Sequence, residues 1–226
     1  MRIQGISGSR GVAVGNVYRY IQEEIVIPDY TVADDKVEEE IGKFAAAMAA
    51  TLKQLDTIRQ KALDEMGPEE AAIFEAHMQI AQDPSLSDGI KSLVESSHTN
   101  VVAATAQTIE TFANIFLGME DPYMRERGAD IKDIGDRLMR NMLGMNPRGL
   151  SHISGEVILV AQDLAPSDTA SLDKNVVKGI VTAAGGPTSH AAIMARTLEI
   201  PAVMGVGDIE SFVDGDKAVV LGTDGI

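Results

Sequence analysis

The sequence predicts an α/β domain assembled from both ends of the chain, with an all-α domain inserted between its two parts. β-branched runs and glycine turns lie near both ends, and helical periodicity fills the middle. A mixture of strand and helix patterns returns after about residue 154. These patterns predict an α/β domain of residues 1–32 and 144–226 and a helical insert of residues 33–143.

The first twenty residues predict strands that are joined by a turn. Arg2–Ser7 and Val12–Tyr20 flank a turn that contains Gly8 and Gly11. A short β-branched run, Ile25–Ile27, follows and ends at a proline. The strand-like pattern ends here, and the helical pattern of the insert begins.

The insert predicts one long helix followed by four shorter ones. Apolar residues recur at steps of three and four from Val37 to Ala62, which indicates an amphipathic helix of roughly eight turns. Gly67-Pro68 ends this helix. The later helices are predicted at roughly 69–82, 86–96, 99–118 and 122–143, and the helical block is predicted to end at Asn146-Pro147 and Gly149.

The C-terminal part predicts four short strands and one helix. Strand patterns occupy Glu156–Ala161, Val176–Ala183, Pro201–Val206 and Lys217–Leu221. A helical segment, Ser189–Glu199, lies between the second and third of them. Strand and helix therefore alternate here, as they do in α/β domains.

Composition excludes several classes of function. The chain has 19 basic and 34 acidic residues, a net charge of -15, which disfavours binding to nucleic acid or anionic lipid and favours a basic protein partner. It has no cysteine, so disulfides, thiolate nucleophiles and cysteine-bound metals are excluded. We expect no signal peptide and no membrane span, because no apolar run is long enough, and hence a cytoplasmic protein.

His190 lies where a β-branched run gives way to two glycines and then to an amphipathic helix. Gly185 and Gly186 allow a tight turn and the close approach of a ligand, and Ser189 or Thr188 suits the N-cap. The imidazole is therefore expected in the first helical turn, beside backbone N–H groups that favour phosphate. A histidine at a helix start without any chemistry fits the same residues, and the glycine pair alone does not decide.

The run from Gly185 to Ile193, Gly-Gly-Pro-Thr-Ser-His-Ala-Ala-Ile, resembles the phosphohistidine segment of phosphoenolpyruvate-utilising enzymes. Further matching segments are Val157–Ser167 and residues 72–77, 127–131 and 133–138. Together they make the whole chain similar to the N-terminal half of the Enzyme I family, the phosphoenolpyruvate–protein phosphotransferases of bacterial sugar uptake. The resemblance implies a swivelling β/β/α phosphohistidine domain with an inserted helical-hairpin bundle.

The resemblance also implies roles for individual residues. His190 would accept a phosphoryl group on Nε2 and pass it to a histidine of the small carrier protein HPr. Thr169 would hydrogen-bond the imidazole before phosphorylation, although a threonine that only caps a turn fits the same position. The phosphate loop would comprise Gly185, Gly186, Thr188 and Ser189.

The resemblance makes the helical insert the HPr-docking domain. Residues 33–143 contain 21 acidic and 11 basic residues, a charge that would steer a basic partner. The candidate docking residues are Glu69, Glu70, Ile73, His77, Ile80, Asp83 and Arg127. Ile73, His77 and Ile80 share one helix face, and the core of a helix bundle fits the two isoleucines equally well. No second histidine stands at metal-ligand spacing from His77, so no metal site is predicted.

Two features depart from the Enzyme I pattern. Pro187 stands where Enzyme I commonly has an arginine, which could pair with phosphate. A paralogue that serves another HPr-like carrier, or a docking module without phosphotransfer, therefore remains an alternative. A dikinase or synthase is disfavoured by the helical insert and by the missing nucleotide-binding domain.

The chain ends at Ile226, whereas the resemblance implies that a barrel domain follows. That domain would bind phosphoenolpyruvate and Mg²⁺ and would drive dimerisation. We therefore expect a monomeric fragment that needs no cofactor of its own, taken from a full-length enzyme that is a homodimer.

Overall fold

The computed structural model describes residues 1–145, 150, 153 and 155–226. The chain divides into two compact units. The α/β unit comprises Met1–Glu23 and Arg148–Ile226, and the helical unit comprises Glu24–Pro147. The combination of an α/β part with an all-α part confirms the predicted fold class, while the domain limits at residues 32 and 143 stay predictions.

Among its described residues, the helical unit contains five α-helices. They are α1 Val37–Glu65, α2 Pro68–Ala81, α3 Pro84–Ser97, α4 Val101–Leu117 and α5 Pro122–Leu143. A 3₁₀ turn, Asp34–Lys36, precedes α1. The bounds follow local signals, because prolines begin α2 and α3, and the side chains of Asp83 and Asn100 cap α3 and α4.

The helices pack their periodic apolar faces into one core. Its fully buried members include Ile90, Ile134 and Leu138, and residues of α1, such as Phe44, complete it. Most of the stability of such helices comes from this packing. Among the described residues, no helix is long and apolar enough to cross a membrane.

Glu40 connects three parts of the helical unit. Its side chain is 4% exposed, and its carboxylate accepts hydrogen bonds from Lys43 (2.6 Å), Tyr30 (3.0 Å) and the amide of Val101 (2.9 Å). Burial alone raises the pKa of Glu40, but these hydrogen bonds outweigh burial and hold the pKa below the ordinary glutamate value. The carboxylate thus ties α1 to the N-terminus of α4, where the helix dipole favours an anion.

The α/β unit is built on a six-stranded sheet in the order β1-β5-β4-β3-β2-β6. Its strands are β1 Ile6–Ser9, β2 Val12–Tyr20, β3 Val157–Ala161, β4 Val177–Thr182, β5 Ala202–Met204 and β6 Lys217–Leu221. The four strands β2, β3, β4 and β5 are parallel to one another, and β1 and β6 pair with them as antiparallel edge strands. Every residue of β3 is buried, as expected for a central parallel strand.

The part of this unit that the structure describes also has two helices, α6 Pro166–Thr169 and α7 His190–Thr197. The sequence predicts α7 but not α6, which is a single turn and too short to show periodicity. The first strand begins at Ile6 rather than at Arg2. The Ile25–Ile27 run forms no strand, because a strand needs a neighbour to pair its backbone groups.

Some predictions fall on residues outside the described ranges. The helix-ending signals at Asn146, Pro147 and Gly149 are among them. The described part of the chain shows α5 ending at Leu143, followed by Gly144 with a φ of 65°, which is a common way to end a helix.

Candidate active site around His190

The segment between β4 and α7 forms a tight loop at the end of a central parallel strand. Ala183 and Ala184 extend the pairing of β4 with β3 through amide hydrogen bonds to Ala161 and Gln162. Gly185 then adopts a φ of 89°, a conformation that only glycine reaches without strain. The loop therefore leaves the sheet at its carboxyl edge, which is where ligands bind in parallel α/β sheets.

Ser189 caps α7, which decides between Ser189 and Thr188, the two N-cap candidates that the sequence offers. Its hydroxyl accepts a hydrogen bond from the amide of Ala192 at 3.3 Å and donates one to the carbonyl of Gly186 at 2.9 Å. The same serine thus fixes both the loop and the helix start. Thr188 is exposed and Gly186 is half-buried, so the loop lies open to a ligand.

His190 is the first residue of α7. Its side chain is half-buried, and the next residues, Ala191 and Ala192, pack into the interior. The first N–H groups of a helix have no partners within the helix and carry partial positive charge. A group attached to this imidazole is therefore placed beside donors that suit a phosphoryl group.

Thr169 lies in α6, which packs against α7. The threonine is fully buried, and its hydroxyl donates a hydrogen bond to the carbonyl of Pro166 at 2.8 Å. Among the described residues no hydrogen bond joins Thr169 to His190, so the predicted contact with the imidazole stays a prediction. The donated proton leaves the Thr169 oxygen with lone pairs that can only accept.

Asp168 is a component of the site region that the sequence analysis missed. It is fully buried beside Thr169 and accepts hydrogen bonds from residues of β2 and of the chain just after it. A signal was available, because Pro166 followed by Ser167 and Asp168 matches a helix start with proline in its first turn.

The predicted docking residues divide by exposure. Glu69 and Asp83 are exposed, and Glu70 is half-buried in the first turn of α2. Asp83 also caps α3 through the amide of Ser85 at 2.8 Å. These three carboxylates flank α2 at its two ends.

The apolar candidates are only partly on the surface. Ile73 and Ile80 are half-buried, and Ile80 packs against the core of the bundle. The alternative interpretation, core rather than docking strip, therefore applies to part of each side chain. Arg127 keeps 30% of its side chain exposed, and its guanidinium lies 3.4 Å from a carboxylate oxygen of Asp130.

The His77 side chain does not lie on the surface, contrary to the expectation of an exposed docking strip. It is fully buried between α2 and α5, with Nε2 3.2 Å from Asp130 Oδ1 and Nδ1 3.8 Å from Asp133 Oδ2. Its ring also meets the ring of Phe74 edge-on, with centroids 5.8 Å apart. The imidazole thus lies between two carboxylates, although neither of its ring nitrogens makes a hydrogen bond in the described part of the chain.

The structure shows no candidate metal centre within its described ranges. No group of three or more histidine, aspartate or glutamate side chains there could hold an ion. His152 lies outside those ranges. His98 is half-buried at the end of α3, with Nε2 3.4 Å from Asp34.

Comparisons with known protein families match both parts of the chain. The family described as "PEP-utilising enzyme, N-terminal" matches residues 4–127, and the family described as "PEP-utilising enzyme, mobile domain" matches residues 153–225. The second match contains His190 and Thr169 together with the glycine loop.

Curated relatives are similar over nearly the whole chain. The phosphoenolpyruvate-protein phosphotransferase of Streptococcus equinus is 44% identical over 99% of the chain, and that of Geobacillus stearothermophilus is 42% identical over 99%. The chain spans only 39% and 38% of the length of these two relatives. It therefore matches about two fifths of a longer protein.

Two solved structures have the same fold. An NMR structure of an Enzyme I protein (nEIt) has a TM-score of 0.84 at 41% identity and matches all of this chain and 91% of its own. The N-terminal domain of "Enzyme 1 - Nitrogen" has a TM-score of 0.67 at 25% identity and also matches all of this chain. The combination of an α/β unit with a helical unit is thus shared with both.

Proposed function

The chain belongs to the PEP-utilising enzyme family and corresponds to the N-terminal part of Enzyme I, and from this we propose that it is a phosphoryl-transfer module. His190 is its covalent carrier. The module exchanges a phosphoryl group with a histidine of an HPr-like phosphocarrier protein. In the longer protein, phosphoenolpyruvate is the source of that group and is bound, together with Mg²⁺, outside this chain.

One observation carries the proposal. His190 begins α7 directly after a glycine loop at the carboxyl edge of the parallel sheet, and its side chain is only half-buried. A nucleophile at this position reaches a partner from outside, while the helix start stabilises the negative charge that it acquires. A histidine with a purely structural role needs neither the access nor the glycine loop.

Phosphorylation at Nε2 proceeds with a simple balance of bonds. The neutral imidazole uses its Nε2 lone pair to form the N–P bond, while the P–O bond to the donor breaks and enolpyruvate leaves. Transfer to the carrier reverses this order, since the N–P bond at His190 breaks as a new N–P bond forms on the carrier's histidine. No metal or external base is needed within this chain.

Thr169 supports the choice of Nε2. Its hydroxyl proton is held by the carbonyl of Pro166, so the hydroxyl oxygen can meet the imidazole only as an acceptor. An acceptor at Nδ1 requires the proton on Nδ1 and leaves the lone pair on Nε2. The proposed contact between Thr169 and Nδ1 would therefore select the nucleophilic tautomer that the reaction requires.

The helical unit supplies the docking surface. The exposed carboxylates of Glu69 and Asp83, with the half-buried Glu70, give this surface negative charge. Such charge attracts a basic carrier and increases its rate of association, and this contribution weakens as salt is added. Ile73 and Ile80 add partly exposed apolar area to the same helix, and Arg127 adds a cation on α5.

The test is phosphorylation of the chain by phospho-HPr, read by intact mass. We expect wild-type protein to gain one phosphoryl group and the His190→Ala variant to gain none while circular dichroism shows a retained fold. His98→Ala is the matched control, because it removes a half-buried histidine of the helical unit and should leave the gain unchanged. Phosphorylation that survives in His190→Ala would contradict the proposal.

A second candidate is a paralogue that serves a different HPr-like carrier. The exposed Pro187, at a position where Enzyme I commonly has arginine, favours it because one charge-assisted contact to phosphate is missing. The two candidates differ in the identity of the carrier and share the chemistry of His190. A panel of phosphorylated carriers separates them, since each predicts a different preferred donor.

A further inference from the structure

Asp168 is the one fully buried acidic residue in the described part of the α/β unit. An ionised carboxylate inside a protein is costly unless hydrogen bonds compensate for lost hydration. Asp168 Oδ1 accepts from the hydroxyl of Tyr20 at 2.8 Å, and Oδ2 accepts from Gln22 at 3.3 Å and from the amide of Ala165 at 3.1 Å. These three hydrogen bonds compensate for the cost of burying the Asp168 carboxylate.

Two of these donors come from a distant part of the sequence. Tyr20 is the last residue of β2, and Gln22 follows just before the chain leaves the α/β unit after Glu23. Asp168 thus joins the end of the first segment of the α/β unit to the α6 turn. The amide of Ala165 belongs to that turn itself, so the carboxylate also fixes where α6 begins.

Leu150, near the start of the second segment of the α/β unit, is linked to the same turn. The amide of Leu150, near the point where the chain re-enters the α/β unit, donates to the hydroxyl of Ser171 at 3.0 Å. That hydroxyl donates in turn to the backbone carbonyl of Asp168 at 2.7 Å. The α6 turn is therefore linked by hydrogen bonds to Gln22 and, through Ser171, to Leu150.

We propose that Asp168 is a positioning residue, which holds the α6 turn and thereby Thr169 in place for the imidazole of His190. The inference rests on the proposed function, in which that imidazole carries the phosphoryl group. Asp168 acts through α6, which packs against α7, and it does not itself touch the reacting atoms. Its loss lets Thr169 drift, and the imidazole then loses its fixed tautomer and orientation.

Asp163 provides a matched control for this proposal. It lies five residues earlier, is exposed, and accepts a hydrogen bond only locally, from the amide of Leu164 at 2.8 Å. Asp163→Asn removes the same charge from the same loop without disturbing α6. Any effect shared by both variants would come from net charge rather than from positioning.

The experiment measures phosphoryl transfer from phospho-HPr and the NMR signals of the His190 ring in the whole chain. For Asp168→Asn we expect the maximal rate to fall about 10- to 100-fold, because small misplacements near a reacting group have effects of this size. The KM for the carrier should stay unchanged, since the docking residues lie in the helical unit. The His190 ring signals should shift in Asp168→Asn and stay in place in Asp163→Asn.

Tyr20→Phe keeps the proposal testable if Asp168→Asn fails to fold. It removes the hydroxyl donor and keeps the hydrogen bonds from Gln22 and from the amide of Ala165. A smaller loss of rate with the same ring-signal shift therefore supports the inference. Wild-type rates and unshifted signals in Asp168→Asn, or in Tyr20→Phe where the first variant is unfolded, would overturn it. If the wild-type chain gains no phosphoryl group, the proposed function is contradicted. The His190 ring signals of Asp168→Asn and Asp163→Asn then still show whether Asp168 positions the imidazole.

Discussion

The two units of this protein bury polar groups in different ways. In the helical unit, ionisable side chains such as His77, Asp130 and Arg137 lie inside the bundle and connect separate helices. In the α/β unit, the buried polar residues of the described ranges are fewer, and Ser167, Asp168 and Thr169 are consecutive members of α6. The buried polar residues of the helical unit are thus spread over several helices. Those of the α/β unit lie mainly in α6, beside the candidate site.

Side-chain hydrogen bonds in the helical unit join α1 to α5. Gln54 accepts from Arg137 at 3.0 Å and donates to Asn141 at 2.8 Å, and Asn141 also donates to Thr51 at 2.8 Å. Such a network has a stringent geometry, because each buried donor needs its partner. It therefore keeps the helices, and with them the proposed docking surface, in one arrangement.

The two units should therefore respond differently to substitutions of their buried residues. We expect changes inside the helical unit to act on stability and on the shape of the docking surface. Changes around α6 should act on the chemistry at His190. The following predictions test this division, beginning with the largest expected effect.

Phe74→Ala should lower the free energy of unfolding by about 3–5 kcal/mol, the usual cost of removing a buried aromatic ring. Phe74 is fully buried in α2 and packs edge-on against His77, so the cavity opens next to the buried imidazole. Urea unfolding followed by circular dichroism measures the loss. Ile115→Ala, at a side chain that is 56% exposed, is the control and should change stability by less than about 0.5 kcal/mol.

A small effect of Phe74→Ala would mean that the bundle relaxes around the cavity. The helical unit would then lack the single arrangement inferred from its buried network.

Glu40 should make stability depend on acid pH. Its pKa is lower in the folded than in the unfolded chain, so its contribution is full above the ordinary value of 4.5 and is lost as the pH falls through the folded-state value. Glu40→Gln should cost about 1.5–3 kcal/mol at neutral pH, the usual size of hydrogen bonds to a charged group, and should flatten this dependence.

Denaturant unfolding between pH 7 and pH 3 measures the effect of Glu40. Glu39→Gln is the control, because the Glu39 carboxylate is exposed and solvent screens its pairs with Lys36 and Lys43. An equal loss of acid dependence in both variants would show that the buried position of Glu40 is unimportant.

Gly135→Ala should destabilise the bundle by about 1–3 kcal/mol, because it forces α4 and α5 apart. A Cβ at this position would lie 2.6 Å from Ile109, in the close contact between these two helices. Thermal unfolding measures the change. Gly42→Ala is the matched control, since a Cβ there meets nothing within 4 Å, and we expect it to stabilise α1 by about 0.5–1 kcal/mol.

Equal behaviour of the two glycine variants would contradict the close α4–α5 contact. A loss of stability in Gly135→Ala alone would show that the helical unit is sensitive to the packing of its helices rather than to the helix propensity of single residues.

Most of the fold could be predicted because its signals are local. Gly67-Pro68 and Asp83-Pro84 mark helix ends without help from the rest of the chain. The run Val157–Ala161 is apolar throughout, as a strand buried on both faces must be. Ser189 was predictable as a cap for the same reason, since capping depends on residues only three positions apart.

What the sequence missed depends on distant partners. His77 is buried next to Asp130 and Asp133, which lie more than fifty residues later in the sequence. Helix periodicity shows that residues share a face, but it does not show whether that face is turned towards the core. Likewise, Asp168 meets Tyr20 across 148 positions. Neither contact leaves a pattern in the neighbouring sequence.

The most direct test of the central claim is phosphorus and nitrogen NMR of the chain after transfer from phospho-HPr, recorded at alkaline pH where phosphohistidine survives. The proposed function predicts one phosphohistidine, with phosphorus coupled to Nε2 of His190. A folded chain that acquires no such signal, or one that carries the phosphoryl group on another histidine, would contradict it.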